Sequence, residues 1–186
     1  MQSKTELLEA GIHRISEFCV ANSLEVPQVE VVPSKEWPFA VPAYYRPTYI
    51  KICLEKSSCI GTAGRAWSYP GYVADRTPYG ILAHEVGHHA DRSRSSVKAS
   101  YFGNYSHDLR TASREAQITS YSPNDAEWFA EIFRLFITNP DLLRRIRPKT
   151  YALLRENFEP VETRDWLDVL EGAPPRTIAA AKAKFR

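Results

Sequence analysis

A His-Glu-x-x-His pattern near the middle of the chain constrains the fold more than any other sequence feature. Residues 78–91 are typical of one helix, with Thr77 suited to the N-cap and Pro78 to the first helical position. His84 and His88 then lie one turn apart on the same face, and most of the apolar residues fall on the other side. The pattern predicts a helix with one solvent-exposed, metal-binding edge and one buried edge.

This spacing has a direct chemical meaning. Two neutral imidazoles at positions i and i+4 can both reach one Zn²⁺ ion at about 2.0–2.1 Å. Glu85 leaves the helix roughly 100° from His84, so it flanks the metal without having to bind it. There its carboxylate can take a proton from metal-activated water. The competing interpretation is an ordinary helix with two surface histidines, and a third metal ligand would count against it.

A downstream helix can supply that third ligand. The extended pattern His-Glu-x-x-His-x-x-Gly-x-x-His is excluded, because the chain has Asp91 and Arg94 at the two required positions. The other common solution is a glutamate, and a helix is predicted to begin with Ser122 as its N-cap. Glu127 and Glu131 lie one turn apart on the polar face of this helix. We assign Glu127 to the metal, with Glu131 either as its rival or as hydrogen-bond acceptor for a ligand histidine.

These two blocks of sequence resemble a known family. The segment 84–88, followed by residues 118–135 with their Ala-Glu-Trp-Phe-Ala-Glu core, is similar to the catalytic domain of anthrax lethal factor and its relatives. Those proteins are gluzincins, zinc peptidases with two histidines and one glutamate as ligands. The resemblance implies that Glu127 is the third ligand and that Tyr121 assists catalysis. It also implies a zincin-like fold.

The remaining sequence is typical of an α+β protein, in which a small mixed or antiparallel sheet packs on the metal-binding helix. We expect a helix at 4–21 and strands at 28–32 and 49–54, with the proline-rich segment 33–48 as a loop packed on the sheet. Residues 92–121 are typical of an irregular connection with one short helix. Further short helices are predicted at 140–147, 148–157, 163–171 and 174–185. We expect a single zincin-like domain over 1–186, divided into a helix-and-sheet part (1–77), the active-site helix (78–91) and a helical part that carries the third ligand (122–186).

Composition limits the classes of function. The chain has 186 residues, a net charge of +2 and 25% charged residues, which indicates neither a nucleic-acid partner nor a membrane surface. No apolar run reaches the roughly 18–20 residues of a membrane span, and the first residues lack a secretory signal. We therefore expect a cytoplasmic protein, with a non-standard export route left open. The odd number of cysteines predicts free thiols at Cys19, Cys53 and Cys59, although the last two are close enough in sequence to pair.

The sequence therefore predicts a zinc-dependent endopeptidase that acts on a protein or peptide substrate. His84, His88 and Glu127 are expected to hold Zn²⁺, Glu85 to act as general base, and Tyr121 to donate a hydrogen bond to the oxyanion. Two alternatives stay open: a non-catalytic, zinc-containing binding or assembly module, and a repressor-cleaving cytoplasmic peptidase linked to mobile elements. A closed structural site would require four protein ligands, whereas a catalytic one keeps a position for water. The sequence indicates no particular oligomeric state.

Overall fold

The computed structural model describes residues 3–57, 75–95, 104–119, 121 and 124–160. Within these residues the chain has an α+β fold, as predicted, with a small mixed sheet and a mostly helical second half. The regular elements are α1 (Lys4–Ala21), β1 (Gln28–Val31), β2 (Ala43–Arg46), β3 (Tyr49–Ile52), α2 (Pro78–Arg94), α3 (Tyr105–Ser113), α4 (Asp125–Thr138), α5 (Pro140–Ile146) and α6 (Pro148–Arg155).

The three described strands are arranged in the order β1–β3–β2. Strand β3 is central, parallel to β1 and antiparallel to β2, so that Ile50 lies opposite both Val29 and Tyr45. The prediction of a loop throughout 33–48 was wrong, because residues 43–46 of this segment form the edge strand β2. Pro42 and Pro47 flank the strand and do not interrupt it, which is where an edge strand tolerates proline.

Helix α2 packs most extensively on α4 and also contacts α1 and β2. The closest approach of α2 to α4 occurs at Gly87, where an added Cβ would lie 2.8 Å from the Cα of Ala130. Phe133 of α4 also packs edge-on against Phe18 of α1, with ring centroids 5.5 Å apart. The glycine of the His-Glu-x-Gly-His sequence therefore permits close packing of α2, which carries both histidines, against α4, which carries Glu127 and Glu131.

The prediction of a solvent-exposed edge on α2 was wrong. Every residue from Pro78 to Asp91 is buried, and His84 is only 7% exposed. The reason is that α4 and β2 cover the histidine-bearing face from two sides, which places it inside a cleft. The predicted start of the helix is confirmed, because the Thr77 hydroxyl accepts a hydrogen bond from the backbone N–H of Gly80.

Helix α4 begins two residues later than predicted. Its N-cap is Asn124 instead of Ser122, and the Asn124 side chain accepts a hydrogen bond of 2.9 Å from the backbone N–H of Glu127. Ser122 itself lies outside the described residues. An asparagine cap is at least as favourable as a serine cap, and it fixes the first turn of the helix, from which Glu127 projects. The predicted end of the helix at Thr138 is confirmed.

Most of the remaining structural predictions that the described residues test are confirmed. Helix α1 covers the predicted range 4–21, a short helix α3 lies within 92–121, and α5 and α6 follow Pro140. Cys19 and Cys53 are buried free thiols. No helix in the described part of the chain has the length and apolar character needed to cross a membrane. The predicted helices at 163–171 and 174–185, and Cys59, lie outside the described residues.

Candidate metal centre

Three side chains from two helices converge at one point. The Nε2 atom of His84 lies 3.1 Å from Oε2 of Glu127, and Nε2 of His88 lies 3.6 Å from the same oxygen. One donor atom from each residue lies within 4.8 Å of the others. Donor atoms around a tetrahedral zinc ion with bonds of about 2.0–2.1 Å would be separated by roughly 3.3 Å. The triad therefore has the donor types and the spacing of a site for a divalent ion.

A second carboxylate orients one of these histidines. Oε1 of Glu131 lies 2.7 Å from Nδ1 of His84, and Glu131 is only 2% exposed. In the neutral imidazole that binds a metal, a carboxylate in this position accepts the Nδ1–H, which leaves the Nε2 lone pair of His84 for an ion shared with Glu127. The structure thus places Glu131 behind the histidine and Glu127 in front of it, the arrangement preferred from the sequence.

Arg134 completes this network, although the sequence reasoning gave it no role. Its guanidinium donates hydrogen bonds to Oε1 of Glu131 and, at 3.1 Å, to the backbone carbonyl of Asp75. It also lies 2.9 Å from Nδ1 of His84, and since both groups are donors they converge on the same carboxylate oxygen. Arg134 follows Glu131 by three residues on one helix, a spacing typical of ion pairs and a signal that the sequence did contain.

The charged groups around the triad shift one another's pKa values. Burial raises the pKa of Glu131, but Arg134 and the hydrogen bond with His84 outweigh this effect and lower the pKa to about 2. Burial likewise raises the pKa of Glu127, and its hydrogen bonds with the two histidines hold the pKa well below its usual range. For His84, burial lowers the pKa, but Glu127 and Glu131 together raise it to about 9. Both carboxylates are therefore ionised, and a cation that binds between Glu127 and the imidazoles displaces a proton.

Glu85 and Tyr121 line the same cleft as the triad. Glu85 is 7% exposed and does not belong to the cluster of donor atoms. The Tyr121 ring centroid lies 6.2 Å from that of His84, and the side chain is half-exposed. Burial raises the pKa of Tyr121, as do the carboxylates of Glu127 and Glu85, so its hydroxyl stays protonated and can donate a hydrogen bond. The structure therefore brings both predicted residues beside the three donors.

The cleft has a volume of about 470 Å³ and is bordered along one side by residues 40–46, which end in strand β2. A buried histidine ties this strand to α2: His89 Nε2–H donates to the carbonyl of Glu25 at 2.8 Å, and its Nδ1 accepts from the Tyr45 hydroxyl at 3.1 Å. Burial lowers the pKa of His89, which keeps it neutral and able to accept this hydrogen bond. The histidine that directly follows the ligand pair thus holds the edge strand against the metal-binding helix.

Searches against models of protein families, curated proteins and solved structures find no match to this chain. The resemblance to the lethal factor family therefore stays a prediction. The geometry of the cleft is what supports a function.

Proposed function

We propose that the protein is a zinc-dependent endopeptidase with a zincin-like architecture. The observation that carries this proposal is the convergence of His84, His88 and Glu127 on one point of a cleft that Glu85 also lines. Two imidazoles and one carboxylate are a common ligand set of catalytic zinc, and three protein ligands leave a position open for water. Among the described residues, the cluster of potential donors contains these three and no fourth.

Each residue has a chemical role in amide hydrolysis. A zinc ion held by the triad would supply Lewis acidity that polarises the scissile carbonyl and acidifies the attacking water. Glu85 takes the proton of that water and delivers it to the leaving amine. Tyr121 donates a hydrogen bond to the oxyanion of the tetrahedral intermediate, a contact typically worth about 2.7–4 kcal/mol of barrier. Glu131 and Arg134 keep the imidazole of His84 in the orientation that binding requires.

Strand β2 gives the cleft a way to bind an extended substrate. It is one of the two edge strands of the described sheet, and its residues border the cleft. An extended peptide can add to such an edge through backbone hydrogen bonds, which bind main chain regardless of side chain. The Tyr45–His89 hydrogen bond keeps this edge next to α2, so a paired peptide would present its backbone to the triad.

The direct test combines metal content with cleavage. Purified protein loaded with one equivalent of zinc is incubated with a quenched-fluorescence peptide library, then with a chelator, and then with zinc again. We expect cleavage that the chelator abolishes and zinc restores. The matched variant Glu85→Gln should bind zinc and keep its circular dichroism spectrum but lose activity by about 10²–10⁴-fold. A zinc-loaded protein that cleaves no peptide and unfolds on chelation would instead be a structural zinc module.

A further inference from the structure

We propose that the substrate of this cleft is an acidic peptide, with aspartate or glutamate side chains on both sides of the scissile bond. Three basic residues at the rim, Arg46, Lys56 and Arg76, would bind these side chains. This inference rests on the proposed peptidase function, since it names the substrate class of the same cleft. It needs only the position and charge of the rim residues, and binding can test it without catalysis.

The three rim cations come from separate parts of the chain and all line the cleft. Arg46 is the last residue of β2, Lys56 lies in the turn after β3, where it donates to the carbonyl of Phe39, and Arg76 immediately precedes the N-cap of α2. All three side chains are exposed. The Tyr44 ring lies under the guanidinium of Arg46, 5.2 Å from its carbon, which helps to fix the direction of that side chain.

Two of these cations lie towards opposite ends of the cleft. The Tyr45–His89 hydrogen bond places the Arg46 end of β2 beside the second half of α2, whereas Arg76 lies before the first turn of that helix. The helix rises by about 17 Å between Pro78 and His89, which is the length of about five residues of an extended peptide. A peptide paired along the cleft can therefore reach one cation on each side of the triad.

The acidic residues that line the cleft lie at the candidate metal centre. The lining contains three carboxylates, those of Glu85, Glu127 and Glu131, and all three belong to the candidate metal centre and its surroundings. Glu131 is paired with Arg134, and a divalent ion would add two further positive charges at the triad. The whole chain carries a net charge of only +2, so the positive charge of the cleft is a local feature. Arg46, Lys56 and Arg76 give the rim positive charge, and charge of one sign at the entrance of a cleft attracts oppositely charged substrates.

A nearby acid, Glu55, is directed away from this rim. Its carboxylate contacts the backbone N–H of Ser34 at 3.5 Å and the thiol of Cys53 at 3.4 Å. Lys56, the next residue, lines the cleft, and its ammonium donates a hydrogen bond to the carbonyl of Phe39. Exposed charge pairs are weak and screened by salt, so we expect each acidic residue of a substrate to raise kcat/KM by roughly two- to fivefold at low salt.

The test uses a set of peptides with one fixed scissile bond, in which each flanking position is Glu, Gln or Lys. Wild-type protein loaded with zinc should prefer Glu over Gln and Gln over Lys, and high salt should reduce the difference. In the variant Arg76→Glu, the ratio of kcat/KM for the Glu peptide to kcat/KM for the Lys peptide should fall by roughly tenfold at one substrate position, so that Lys is preferred there. The matched control is Arg144→Glu on α5, which changes the net charge equally at an exposed residue that does not line the cleft.

Two outcomes separate this inference from the function on which it rests. Equal cleavage of Glu, Gln and Lys peptides would overturn the acidic preference and leave the peptidase proposal intact. If no peptide is cleaved, fluorescence anisotropy of labelled peptides with the zinc-loaded Glu85→Gln variant decides. Tighter binding of the Glu peptide, lost in Arg76→Glu and kept in Arg144→Glu, supports the inference; equal binding of Glu and Lys peptides overturns it. A single-stranded oligonucleotide of equal charge that binds more tightly than the Glu peptide would also overturn the assignment to peptides.

Discussion

Replacing Gly87 with alanine tests whether the packing of α2 on α4 sets the metal centre. The new Cβ would lie 2.8 Å from the Cα of Ala130 and 3.1 Å from the Cβ of Phe133. Carbon atoms in comfortable contact are about 3.5–4.0 Å apart, so the two helices must separate by about 1 Å. The backbone of Ala130 cannot rotate away as the end of a long side chain could.

The consequences for stability and for metal binding differ in size. Overpacking of this kind lowers the free energy of unfolding by about 1–3 kcal/mol, whereas the higher helix propensity of alanine raises it by about 1 kcal/mol. The net loss is therefore about 0–2 kcal/mol. Metal–ligand distances tolerate only about 0.2 Å. The same separation moves His84 and His88 on α2 away from Glu127 on α4, so the zinc dissociation constant should rise by at least about tenfold.

A second glycine provides the matched control. At Gly11 an added Cβ would lie 3.0 Å from the Cα of Tyr79, a similar clash on the α1 side of α2. The variant Gly11→Ala should lose a comparable amount of stability in thermal unfolding and keep its zinc affinity, measured by competition with a chromophoric chelator. Wild-type zinc affinity in Gly87→Ala, or an equal loss in Gly11→Ala, would refute the claim that this contact sets the ligand geometry.

Three further predictions concern single side chains. Glu127→Gln should weaken zinc binding far more than Glu131→Gln, for which about a 10–100-fold loss is expected in equilibrium dialysis; the reverse order would exchange their roles. Tyr121→Phe should lower kcat by about 10²-fold with little change in KM in steady-state assays, and an unchanged kcat would remove its hydroxyl from the mechanism. Asn124→Ala should lower the urea-unfolding free energy by about 1 kcal/mol through loss of the α4 cap, whereas Asn124→Ser should retain most of it.

The helices that carry the site could be predicted because their signals are local. Each of these signals, the spacing of His84 and His88, the Thr77 cap and the paired glutamates of α4, spans only a few residues of sequence. Periodicity of this kind indicates which face an element can bury. It also indicated that the carboxylates four residues apart would point the same way, which is why Glu127 and Glu131 are both found at His84.

The errors in the prediction came from contacts between distant parts of the chain. Strand β2 forms because it pairs with β3 and because the Tyr45–His89 hydrogen bond connects it to α2. Neither contact can be predicted from the proline-rich sequence of this segment. The histidine face of α2 was expected to be exposed because the pattern could not show that α4 and β2 cover it. The hydrogen bond of Arg134 to the backbone of Asp75, 59 residues away, could not be predicted for the same reason, although the spacing of Arg134 from Glu131 was visible in the sequence.

A crystal structure of the zinc-loaded protein, with anomalous diffraction measured at the zinc edge, tests the ligand set most directly. We predict one anomalous peak at about 2.0–2.2 Å from Nε2 of His84, Nε2 of His88 and a carboxylate oxygen of Glu127, with no fourth protein ligand. A peak at any other place, or a fourth side chain bound to the ion at this one, would contradict the account of an open, catalytic metal centre.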